Sequence, residues 1–150
     1  MGWKLPHKVK YLEALGAIAD NRVLINHNEA TVLSSEKTKV YNVFYNPEKQ
    51  AIIANDPMSS YNGTFGYPII AYLIKAELIK VADSSFIEKL ANIEWKVLAT
   101  RNKNNWDAVL DEALSILNKK EVSSDLVRKM ITDLEESILK LELKRTNFPR

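Results

Sequence analysis

The chain has 150 residues, 21 basic and 19 acidic side chains, a net charge of +2 and no cysteine. That length predicts a single domain over residues 1–150, with a core large enough to fold without staples. The missing cysteines exclude disulfides, thiolate nucleophiles, iron–sulfur clusters and thiolate zinc sites, and the small net charge removes any requirement for a polyanionic partner.

The charge is unevenly spread. Lys4, Lys8 and Lys10 make the first ten residues +3, and Lys140, Lys144, Arg145 and Arg150 against Glu142 make the last eleven +3. The middle therefore carries about −4. The basic start is not followed by an apolar h-region, so no signal peptide is expected and the cytoplasm is the expected compartment. Pro6 stands where a myristoylation signal needs Ser or Thr.

Pro6 opens a predicted helix from His7 to about Asp20, with Val9, Leu12, Leu15 and Ile18 as its apolar stripe. Gly16 interrupts it and marks a close approach by another element. The period then changes to two. Arg22–Asn26, Glu29–Ser34, Lys39–Asn46 and Gln50–Asn55 read as four short strands with brief connections, which predicts an antiparallel meander.

Asn55–Pro68 follows as a polar and aromatic loop. Pro57 ends the strand before it, Asn62-Gly63 signals a turn, and Pro68 suits the first turn of a helix. The run IIAYLIKAELI is charged only at Lys75 and Glu77, so it reads as a buried central helix too short to cross a membrane. Two readings of the loop stand side by side. In one it is a ligand pocket at the start of a helix, with Asn55, Asp56, Ser59 and Ser60 as polar contacts and Tyr61 and Tyr67 among its walls. In the other it caps the core. No phosphate-binding pattern is present.

The remainder is helical. Ser85-Phe86-Ile87-Glu88 reads as a capping box for a helix from Phe86 to about Thr100. Asn104 or Asn105 caps a second helix starting at Trp106. Ser123-Ser124-Asp125 starts a last one of roughly twenty residues, about 30 Å long. Its inner stripe of Val127, Met130, Ile131, Leu134, Ile138 and Leu141 serves either the chain's own core or a partner helix.

The fold class is therefore α+β: an N-terminal helix, a four-stranded antiparallel meander, and a helical C-terminal half packed on the sheet. His7 and His27 form no spaced ligand pair, no G-x-S-x-G elbow exists, and no metal, cofactor or reaction type is implied. The leading expectation is a non-enzymatic intracellular binding domain with a protein partner, self-associating through the last helix as a homo-oligomer. The alternative is a nucleic-acid-binding protein using Lys4, Lys8 and Lys10 on the basic N-terminal segment and helix. The 55–68 pocket is the third, and no membrane contact is expected.

Overall fold

The computed structural model describes residues 2–149. Its elements run in the expected order: α1 (Val9–Ala19), β1 (Val23–Asn26), β2 (Glu29–Leu33), β3 (Val40–Asn46), β4 (Ala51–Ala54), α2 (Pro57–Asn62), α3 (Tyr67–Lys75), a 3-10 turn (Ile87–Leu90), α4 (Trp95–Arg101), α5 (Trp106–Lys119), α6 (Ser124–Lys140) and β5 (Lys144–Arg145). The α+β class holds. The sheet has five strands, one more than the meander, in the order β1-β2-β3-β4-β5.

β1 to β4 are antiparallel neighbours, and each turn has a local cause. His27, Lys37 and Gln50 adopt left-handed backbone at the three reversals. The Ser34 hydroxyl accepts from the Thr38 and Lys39 amides across the second, and Asn46 Oδ1 accepts from the Lys49 amide across the third. β5 is a two-residue strand parallel to β4, with Ala51 opposite Lys144 and Ile52 opposite Arg145. Two residues carry too little periodicity to be read from sequence.

Val23, Val32, Val43 and Ile52 point inward and are sealed by α3, whose Ile69, Ile70 and Leu73 are fully buried. α1 packs on α3 and on the 3-10 turn, and α5 reaches α1 from the other side. α1 is thus enclosed rather than merely amphipathic: Val9, Tyr11, Leu12, Ala14, Leu15 and Ala17 are all inaccessible. Gly16 permits that enclosure, because a Cβ there would sit 2.8 Å from Trp95 Nε1.

Two expectations are corrected. The helix from Phe86 to Thr100 is broken: a 3-10 turn ends at Leu90 and α4 begins at Trp95. Between them Asn92 takes a left-handed backbone, and its amide donates to Asp20 Oδ1 at 2.7 Å, tying the linker to the end of α1. The capping box at Ser85 does not form. Ser85 instead donates through its amide (3.0 Å) and hydroxyl (2.6 Å) to Asp83 Oδ1, closing a turn. The caps expected at Asn105 and Ser123 do form, accepting from the amides of Ala108 and Leu126.

Candidate functional site

The segment 55–68 is a built corner of the core. Asp56 caps α2: its Oδ2 accepts from the Ser59 amide at 3.1 Å, and its backbone oxygen accepts from the Ser60 hydroxyl at 2.9 Å. The Ser59 hydroxyl accepts from the Gly66 amide at 3.1 Å, which fixes the start of α3 against the start of α2. Burial raises the Asp56 carboxyl above the usual carboxylate range, against the hydrogen bonds from Ser59 and the nearby Lys10 charge. Pro57 at the first helical position, directly after an Asp, is a helix start that the strand-stop reading of Pro57 overlooks.

The six residues expected to bind a ligand divide three ways. Asp56, Ser59 and Tyr67 face inward. Asn55 and Ser60 line a surface groove, and Asn55 Oδ1 accepts from the Asn42 amide at 2.8 Å. Tyr61 points away from all of them and is 84 % exposed.

Tyr67 meets a buried polar cluster. Its hydroxyl is raised well above the ordinary phenol range by burial, despite the neighbouring Arg22 charge. Tyr41 meets the Tyr67 ring edge-on with centroids 6.2 Å apart. Arg22 donates through Nη1 to the Leu33 carbonyl at 2.7 Å, while its inaccessible Nε and Nη2 have no hydrogen-bond partner among the described residues and Nε lies 3.6 Å from Asp20 Oδ2. Lys10 pairs with Glu13 at 2.8 Å and lies 3.9 Å above the Trp106 ring. These groups join α1, β1, β3 and α3 from within and present little surface to a ligand.

The basic N-terminal set also divides. Lys10 is 8 % exposed and engaged as described. Lys8 pairs with Glu135 of α6 at 3.0 Å, and His7 sits 2.7 Å from Asp107 of α5. The first helix therefore offers no free cationic face. Lys4 differs, because the two ends of the chain come together. Gly2 bridges Lys144, the Trp3 indole donates to the Lys144 carbonyl at 3.3 Å, and Lys4 exchanges backbone bonds with Gly63 and Phe65. Trp3 stacks on Phe65 at 5.1 Å, and the Arg145 guanidinium lies 5.3 Å from the Trp3 centroid. Among the described residues Lys4, Lys144 and Arg145 make no ion pair; Lys144 and Arg145 form the edge strand, and Lys4 stands two residues from the Gly2 bridge to it.

Beside that edge lies the outer face of the sheet, which no helix covers. Two grooves lie along it, both bordered by Asn55 and by Phe148 of the C-terminal segment. One, of about 540 Å³, is lined by Asn55, Ser60, Arg145 and Phe148 among others. The other, of about 470 Å³, is lined by Leu24, Asn26, Thr31, Asn42, Phe44, Asn55 and Phe148 among others. A third and larger cleft, of about 930 Å³, opens between the α1–β1 turn, the β2–β3 turn and α4. Its walls mix Arg22, Lys37, Lys96 and Arg101 with Asp20, Glu36 and Glu94, so both signs of charge line it.

The last helix does not offer its apolar stripe to a partner. Val127, Met130, Ile131, Leu134 and Ile138 are all buried in the chain's own core. Leu126 and Leu139 are its exposed large apolar residues. Among the described residues, no group of three or more His, Cys, Asp or Glu is placed to hold a metal ion, and no helix is long and apolar enough to cross a membrane.

No curated protein and no solved structure matches the chain. A family model does, over residues 3–144, a span that takes in every element from α1 through α6. The chain belongs to the family described as uncharacterised conserved protein UCP014422.

Proposed function

We propose that this is a non-enzymatic binding domain for nucleic acid, and that its contact surface is the sheet edge where the two chain ends pair. The observation that carries the reading is the bridge from Gly2 to Lys144, which brings the segment holding Lys4 beside the edge strand of Lys144 and Arg145, none of the three in an ion pair among the described residues. The reading draws on the same basic ends that the sequence singles out. It moves the surface from the N-terminal helix to the joined termini, because Lys8 and Lys10 are already matched by carboxylates. Cations held at fixed positions and not neutralised by the protein release counterions when phosphate binds. The buried carboxylate of Asp56 and the partly buried Tyr67 lie in closed arrangements inside the fold, which supports binding rather than catalysis.

The test is fluorescence anisotropy with a labelled oligonucleotide of about eight nucleotides, a typical single-strand site size, across a salt series. Three phosphate contacts on a single strand give a slope of log affinity against log salt near −2. Lys4→Gln/Lys144→Gln is expected to weaken binding and flatten that slope, while Lys8→Gln leaves both unchanged. Absence of binding at low salt removes the reading.

Self-association is the second reading, supported by the outward Leu24 and Val40, 68 % and 57 % exposed on the uncovered sheet face. A light-scattering mass that rises with concentration, and falls back in Leu24→Glu, would favour it.

A further inference from the structure

We infer that the outer sheet face beside the basic edge reads the bases of a single strand, with the two grooves acting as one channel. This rests on the binding surface proposed above and names what that surface takes. Asn55 and Phe148 line both grooves, so the two adjoin at those residues.

The channel changes chemistry along its length. The lobe under Asn55 and Arg145 opens at the basic edge strand, where Arg145 lies over Trp3 with no ion pair among the described residues and Ser60, its hydroxyl donating to the Asp56 carbonyl, forms part of the wall. The lobe over β1–β3 is nearly uncharged, and Glu29 is the one ionisable residue lining it. There the side chains of Asn26, Thr31 and Asn42 have no hydrogen-bond partner among the described residues, and they point off the sheet in adjacent rows. The register sets Thr31 opposite both Leu24 and Asn42. Each free amide offers two donors and an acceptor, the mixture that the edge of a base presents in return.

Phe44 and Phe148 supply the flat apolar surfaces, and Phe148 is 39 % exposed at the boundary between the lobes. An unstacked base needs such a face to cover its own. Phosphates then lie toward Lys4, Lys144 and Arg145, and bases lie over the amides. A duplex cannot use the second lobe, because its base edges are paired and its base faces are stacked. A free phosphate or polyphosphate uses only the first.

The experiment compares labelled ribo- and deoxyribo-strands of about eight nucleotides, a typical single-strand site size, with an abasic strand and a blunt duplex of the same length. Stacking on one aromatic platform predicts that a base-bearing strand of either sugar binds roughly tenfold tighter than the abasic strand. Phe148→Ala and Asn42→Ala are expected to erase that preference and leave abasic binding in place. Their melting curves report whether the fold is kept, and Thr31→Ala serves where either variant melts early. Equal binding of base-bearing and abasic strands overturns the base-reading channel while the cationic edge stands. Preference for the duplex overturns it as well. If no strand binds, the edge and the channel fall together.

Discussion

A methyl group on Gly66 would collide with the Asp56 carboxylate and crowd the Ser59 hydroxyl. Those two side chains hold the starts of α2 and α3 together, so the absence of a Cβ is what lets the corner close. Gly66→Ala is expected to cost about 1–3 kcal/mol, the usual range for overpacking a tight site. Urea unfolding measures it, and an unchanged denaturant slope would place the effect in the native state. Gly63 was legible as a turn from Asn62-Gly63, and its φ of +62° agrees. The role of Gly66 was not, because it depends on a carboxylate ten positions earlier that returns only when α2 forms. The partner of Lys8 was hidden for a related reason, whereas that of Lys10, Glu13, stands three positions away on the same helix. A lysine's sequence neighbours do not reveal a glutamate on a distant helix, and Glu135 lies 127 positions from Lys8.

At the scale of elements, the strands and the last helix were legible because each keeps one period along its length. β1–β4 differ from the expected spans by single residues at their ends, and α6 falls where its serine cap placed it. The stretch after α3 was not legible in the same way. Its apolar residues at helical spacing are divided between a 3-10 turn and α4, because Trp95 must reach the bare backbone of Gly16 and the chain turns at Asn92 to bring it there. Periodicity reports which residues are buried, and here they are buried from two directions. The two faces of α6 separate core packing from partner contact. Leu134→Ala is expected to cost about 2–5 kcal/mol, as a fully buried leucine does. Leu139→Ala, on the exposed side, is expected to change stability by about 0.5 kcal/mol or less. Thermal or urea unfolding compares them, and an equal loss in both would mean that α6 has a partner on its outer side.

Across the whole molecule, the helices lie on one side of the sheet and leave the other side open. The sequence showed that a meander can have one covered face, but not which one. The burial of Val23, Val32, Val43 and Ile52 decides it, and the open face then carries Leu24, Thr31, Asn42 and Phe44. Also invisible in the sequence was the meeting of the ends, since two basic runs at opposite termini carry no sign that they are neighbours. Hydrogen exchange offers a check on this layout. The amides of Lys4 and Phe65, which bond at the clasp formed where the ends meet, and of Lys144, which bonds to Gln50 at the sheet edge, are expected to exchange through local opening well before Val43 in the centre of the sheet. Equal protection would show that the clasp opens only with global unfolding.

The same clasp sets an order of assembly. The hairpins join residues close in sequence, whereas Trp3 finds the Lys144 carbonyl across 141 positions. Closing a loop of that length rewards the chain only after the helices between have packed, so the clasp is the late step of folding. A chain still being synthesised, or one trapped with its ends apart, would hold a formed meander and no joined cationic edge. The proposed binding surface would thus be withheld until the molecule is whole.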